Sequence, residues 1–166
     1  MGPEQISRYI DRFEAVTFVV SRRLNALIRE CIDDDLTLDQ FLALRYIHNR
    51  GSCTASEMAE TFCVNRSAIT AITTRLADKR YMERVPDRRD RRVYSLRLTE
   101  RGRDVYLSAA VRIHEQLAAL IRQFPVEEIE QFLDSYERLA DMIKREEMLK
   151  NRRDGDFGKD GELVNR

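Results

Sequence analysis

The sequence predicts a mainly α-helical chain with one β-hairpin near its middle. Apolar residues recur every three or four positions over most of the 166 residues, the repeat of amphipathic helices. One segment breaks that repeat. In Val93–Leu98 the side chains alternate, Val93, Ser95 and Arg97 to one side and Tyr94, Leu96 and Leu98 to the other, toward the core. Between it and the strand-like Tyr81–Val85 stands Asp87-Arg88-Arg89-Asp90-Arg91-Arg92, polar throughout and short enough for a hairpin tip.

The elements follow in order. Ile6, Ile10, Phe13, Val16, Val20, Leu24, Leu27 and Cys31 form one apolar stripe and predict a long helix over residues 4–33, ended by Asp33-Asp34-Asp35. Thr37-Leu38-Asp39-Gln40 has the form of a capping box, in which Thr37 and Gln40 satisfy free backbone donors. The helix it opens runs to about Asn49, with Phe41, Leu44 and Ile47 inward and Gly51 as its stop. A second capping box, Thr54-Ala55-Ser56-Glu57, opens a helix to about Phe62 with Met58, Ala59 and Phe62 on its apolar face. Cys63-Val64-Asn65 makes a tight turn into the next helix, Ser67 to Arg80, whose Ile69, Ile72 and Leu76 point to the core. Two short helices joined this way are a helix-turn-helix in size and pattern, and the hairpin after them is its wing.

Beyond the hairpin, Thr99 caps a helix to about Phe124, with Val105, Ala109, Ile113, Leu117, Leu120 and Phe124 on one face. Pro125 suits the first turn of a further helix, and Glu127 and Glu128 sit near its positive end. Its stripe is Ile129, Phe132, Leu133, Tyr136, Leu139, Met142 and Ile143. From about Asn151 the composition turns polar and predicts a loosely attached tail. The predicted organisation is a winged helix-turn-helix at 37–98, flanking helices at 4–36 and 99–148, and a polar tail at 149–166. The flanking stripes are longer than so small a module can cover. An identical copy, in a symmetric dimer, or an intramolecular bundle of the long helices would bury them; the dimer is the expectation.

Composition narrows the function. With 43% apolar residues the chain is not wholly disordered, and a net charge of zero excludes a uniformly basic coat. The charge is segregated, however. Arg66–Arg103 holds 12 basic and 5 acidic residues, a local charge of +7 that the remainder balances. Four arginines on one hairpin tip repel each other, and a polyanion relieves that repulsion. The helix face opposite Ile69, Ile72 and Leu76 carries Arg66, Ser67, Thr70, Thr74 and Arg75, with Thr73 nearby. Such side chains approach base edges and phosphates closely.

Three cysteines (Cys31, Cys53 and Cys63) without metal-ligand spacing suit free thiols in a reducing cytoplasm. His48 and His114 are the only histidines and are far apart, so no metal is expected. The chain has no Gly-rich phosphate loop, nucleophile elbow or paired-histidine motif, and neither an enzyme nor a cofactor is expected. No apolar run reaches the roughly 18 residues of a membrane span, and no secretory signal is expected at the N-terminus.

Leu38-Asp39-Gln40-Phe41 with Leu44 and Ile47, the segment Ala55–Leu76, the run Arg84-Val85-Pro86 into Asp87–Arg92, and Leu98-Thr99-Glu100-Arg101-Gly102 together resemble the MarR family of bacterial transcriptional regulators. The resemblance covers the layout from about residue 10 to 145 and is most specific in the wing. It implies a homodimer held by the terminal helices on double-stranded DNA, with a near-palindromic operator whose half-sites lie about 10 bp apart. It also implies a repressor released by a small effector, often phenolic or aromatic.

By position, Arg66, Ser67, Thr70, Thr74 and Arg75 would serve the major groove, and Arg88 or Arg89 the minor groove, with Arg91 and Arg92 beside them. Asp90 would orient Arg92, with Asp87 a second brace; alternatively Asp90 and Arg92 hold the wing's shape and touch no DNA. Phe41, Tyr46 and His48 are candidates for the effector pocket, or ordinary core and surface residues. A redox-sensing alternative rests on Cys63, with Arg66 close by, or on Cys31; a free cysteine is otherwise a small hydrophobe. A protein-docking winged helix is an alternative of another class, and it predicts an apolar recognition face. Two positions depart from the family: Ala71 replaces a frequent arginine, and Arg80 replaces the usual glycine. A left-handed backbone would cost arginine roughly 1 kcal/mol, so a different helix end is expected there.

Overall fold

A computed structural model describes residues 1–33, 35–86 and 93–157, the last stretch from 147 onward for its backbone alone. The chain runs α1 (Pro3–Cys31), α2 (Leu38–Arg50), β1 (Cys53–Thr54), α3 (Ala55–Thr61), α4 (Arg66–Asp78), β2 (Met82–Pro86), β3 (Tyr94–Leu98), α5 (Glu100–Ile121) and α6 (Val126–Phe157). It is a mainly α protein with a winged helix-turn-helix and a small antiparallel sheet. Two compact units are distinguished, Met1–Leu117 and Ala118–Arg166.

In the first unit the core lies where α2, α3 and α4 meet the sheet. Leu44, Ile47, Met58, Ile69 and Leu76 are fully buried, joined by Phe41, Met82 and Leu96. Tyr106, Ala109 and Ile113 of α5 and Cys31 and Ile32 at the end of α1 complete it. Both capping boxes form. Thr37 Oγ1 accepts from the Gln40 N–H while the Gln40 side chain accepts from the Thr37 N–H. Thr54 and Glu57 repeat the pattern, and the Thr54 N–H and hydroxyl hold the Glu57 carboxyl below its ordinary pKa.

The sheet has the order β1-β3-β2. β2 and β3 form the hairpin, in register from Met82 opposite Leu98 to Pro86 opposite Tyr94, and Cys53 of β1 lies opposite Leu96. β1 was not foreseen: two residues are too few to show a period. The alternation of β3 fails at one residue. Tyr94, expected inward, is half exposed because the hairpin has by then outrun the helices beneath it.

The end of α4 departs from expectation. Arg80 keeps the left-handed turn, with φ +57°. The Arg80 N–H reaches the Ala77 carbonyl at 2.8 Å, and the Tyr81 N–H reaches the Leu76 carbonyl at 2.9 Å. These are the paired bonds of a Schellman motif, and they offset the strain of the arginine backbone. The helix-turn-helix turn repeats this, with Cys63 at φ +53° and bonds from Cys63 to Glu60 and from Val64 to Ala59. Arg80→Gly should therefore stabilise the protein by about 1 kcal/mol, read as a higher denaturant midpoint. A midpoint that stays or falls would show that the turn stores no strain.

α1 and α6 carry apolar faces that their own units leave open. Ile10, Phe13, Val16 and Val20 of α1 are about half exposed, as are Leu133, Tyr136 and Ile143 of α6. α6 also continues to Phe157, through residues 149–157 where a loose tail was expected. The residues leading into that stretch, Lys144, Arg145, Glu146, Glu147, Met148, Leu149 and Lys150, are good helix formers. Residues 158–166 lie outside the described part.

Candidate nucleic-acid interface

α4 is amphipathic residue by residue. Ile69, Thr73 and Leu76 are buried, whereas Arg66, Ser67, Thr70, Ala71, Thr74 and Arg75 are exposed along the opposite face. Asn65 caps the helix by accepting from the Ala68 N–H at 2.9 Å, and its first turn holds no acidic residue. The positive end of the helix is thus left for an external anion.

Hydrogen bonds set what each hydroxyl can offer. Ser67 donates to Asn65 Oδ1 at 2.7 Å, and Thr70 donates to the Arg66 carbonyl at 2.9 Å. Both therefore present lone pairs outward, able to accept from a base amino group. Thr74 accepts from Arg84 Nη2 at 3.3 Å, which leaves its own proton to donate. Thr73 corrects the expectation placed on it. It is 1% exposed, donates to the Thr70 carbonyl and accepts from Arg84, so it faces the core side of α4 and not the solvent. Position 73 follows Ile69 by one helical turn, which puts it on the buried stripe.

The arms of the wing project from this helix. Its tip, with Asp87, Arg88, Arg89, Asp90, Arg91 and Arg92, lies outside the described residues. At its base stands Arg84, which the wing motif includes without giving it a role of its own. The structure brings its guanidinium to the exposed face of α4. The signal was available in the alternation, because Arg84 lies opposite the inward Leu96.

The base of α5 locks the end of α4. Thr99 Oγ1 donates to the Arg80 carbonyl at 2.7 Å and accepts from the Gly102 N–H at 3.0 Å, while the Thr99 N–H bonds the Tyr81 carbonyl. On the other side, the Tyr81 hydroxyl donates to Asp35 at 2.9 Å, and Lys79 stands 3.5 Å from the same carboxylate. Burial and this carboxylate raise the Tyr81 pKa, so the hydroxyl keeps its proton.

The three residues expected to share an effector pocket do not come together. Phe41 is buried and stacks on Tyr106 at 5.8 Å, and His48 lies 4.5 Å from the same ring. Tyr46 is on the opposite face of α2, beside a groove of about 510 Å³ that Leu42, Phe62, Ala68 and Ile72 also line. Residues 41 and 48 are two turns apart and share a face; residue 46 cannot join them.

The cysteines also differ from one another. Cys31 is buried and Cys63 is exposed. Cys53 is buried, and burial with the nearby Glu57 carboxylate pushes its thiol up to about 11. Among the described residues no three acidic, cysteine or histidine side chains are grouped to hold a metal.

A helix-turn-helix with a hydroxyl-rich, basic outer face and a hairpin wing defines the class of winged helix-turn-helix proteins. Residues 36–94 match the sequence model of the MarR family. The chain is 31% identical over 86 residues to the uncharacterized HTH-type transcriptional regulator YpoP of Bacillus subtilis (strain 168), covering 52% of this chain and 61% of YpoP. It is 32% identical over 93 residues to the HTH-type transcriptional repressor MdtR of the same organism, covering 56% of this chain and 59% of MdtR. The matches thus span about three fifths of these relatives' length. In fold it is similar to a mutant MarR from E. coli solved with operator DNA, at TM-score 0.69 and 21% identity over 79% of this chain and 95% of that one. Residues 36–94 are thus similar to the MarR family in sequence, and the fold is similar to that of the MarR solved with operator DNA.

Proposed function

We propose that this protein is a sequence-specific regulator of transcription that binds double-stranded DNA as a homodimer in the cytoplasm. One observation carries the reading: the exposed face of α4 is a continuous row of Arg66, Ser67, Thr70, Thr74 and Arg75, with the basic hairpin beside it. A protein-docking surface would put apolar residues there. Arg66 and Arg75 suit phosphates or guanine, and the hydroxyls suit base edges. The tip arginines, Arg88, Arg89, Arg91 and Arg92, anchor the wing, with Asp87 and Asp90 as braces. A dimer presents two such helices to a near-palindromic site with half-sites about one turn apart. A repressor role, released by a small effector, is favoured by the resemblance to a repressor. Among the described residues no helix is long and apolar enough to cross a membrane.

The test is a gel shift of the full chain on the DNA flanking its own gene, repeated at rising salt. Binding should fall steeply as salt rises, because bound cations are released. No binding to any genomic fragment at low salt would sink the reading. Redox sensing is a second reading, and exposure favours Cys63, in the helix-turn-helix turn, over the buried Cys31.

A further inference from the structure

We infer that Arg84, at the base of the wing, is a preset phosphate-binding position that joins the helix contact to the wing contact. The inference rests on the DNA-binding reading and adds to it a residue outside both the recognition helix and the hairpin tip.

The guanidinium of Arg84 is held by neutral acceptors. Its Nη2 donates to Thr73 Oγ1 and Thr74 Oγ1, each at 3.3 Å. Thr73 is buried and its own proton is committed to the Thr70 carbonyl, so its oxygen is a fixed acceptor. Two hydroxyls orient the group without neutralising it. Among the described residues no carboxylate lies within salt-bridge distance of Arg84. A purely structural brace between strand and helix would gain more from an acidic partner.

The two bonds occupy Nη2 and leave the Nη1 and Nε protons. Arg84 is exposed, and the residues around it on α4 are the outward Thr70 and Thr74. Its stem rises from the strand face shared with Leu96, against α4. It therefore stands between the element aimed at base edges and the hairpin aimed at the neighbouring backbone, where a strand of DNA passes from one to the other. A planar fork with its orientation already set loses little side-chain entropy on meeting a phosphate.

The experiment compares wild type with Arg84→Ala, Arg84→Lys and Thr73→Val on one operator fragment and one unrelated fragment across a salt series. Arg84→Ala should weaken binding to both fragments by roughly tenfold at low salt. It should also lower the slope of log affinity against log salt by about 2 per dimer, one phosphate per subunit. Arg84→Lys should keep the slope while losing part of the affinity, since the charge remains and the fork is gone. Thr73→Val, which keeps the cation and frees its orientation, should also leave the slope intact and cost a few-fold in affinity. An unchanged slope for Arg84→Ala, or a loss confined to the operator, would overturn the assignment, because Arg84 would then act only through α4. If wild type binds neither fragment, the DNA-binding reading itself fails. Unchanged circular dichroism and melting of each variant show that the comparison is between folded proteins.

Discussion

Gly102→Ala will destabilise the protein by roughly 3 kcal/mol or more, at the upper end of overpacking costs. A glycine in the first turns of a helix would ordinarily gain up to about 1 kcal/mol on becoming alanine. Here the sign reverses for a local reason. A methyl group on Gly102 would stand 1.8 Å from the Tyr81 carbonyl oxygen and 2.7 Å from its carbon. Those are backbone atoms, so no side-chain rotation relieves the contact. The same carbonyl accepts from the Thr99 N–H at 3.1 Å, and Thr99 also bonds Arg80 and Gly102. Moving α5 away would break the two bonds that Thr99 makes to Tyr81 and Arg80 and shift the end of α4. Denaturant unfolding checks the stability, and operator affinity should fall with it. A variant as stable as wild type would show that α5 does not approach α4 this closely.

The second large effect concerns α1. Ile10→Glu with Phe13→Glu should leave the chain monomeric and lower operator affinity at least about a thousandfold. Both residues are about half exposed on a continuous apolar face, and a carboxylate there would lose its water in any dimer. A monomer makes half the DNA contacts, so the binding free energy roughly halves. On the affinity scale that turns nanomolar binding into micromolar or weaker. Sedimentation measures the oligomer and a gel shift the affinity. A double variant that stays dimeric would place the interface elsewhere. One that is monomeric yet binds its operator like wild type would remove the dimer from the mechanism.

The effector is read less directly than the DNA surface. The sequence grouped Phe41, Tyr46 and His48 because all lie on one helix and carry rings or polar tips. α2 puts the first and third against Tyr106 and turns Tyr46 to the groove beside Phe62. Type and proximity in sequence do not specify a pocket; the helical phase and the neighbours do. Thr73 shows the same limit on the DNA side. Its residue type matched Thr70 and Thr74, while its phase matched Ile69 and Leu76.

Local information was enough for much of this protein. Threonine with Gln40 and threonine with Glu57 open α2 and α3 as the capping pattern requires, because a cap is satisfied within four residues. The helix-turn-helix, the strand pair and the apolar faces of α1 and α6 follow from periods that each segment carries in itself. The segregation of positive charge onto α4 and the hairpin is equally a property of the chain.

What the sequence could not decide depends on partners distant along it. Arg80 is tolerated in a left-handed turn because the Thr99 hydroxyl, from the start of α5, adds its bond to the local ones made by the Leu76 and Ala77 carbonyls. Gly102 is required because Tyr81, which no local rule connects to it, brings its backbone there. Arg84 becomes part of the DNA-facing surface because Thr73 and Thr74, on another element, capture its guanidinium. Periodicity and capping are local and are written into the chain. Close approach, strain relief and the aiming of a charged group arise only when separate elements pack together, and tertiary structure alone decides them.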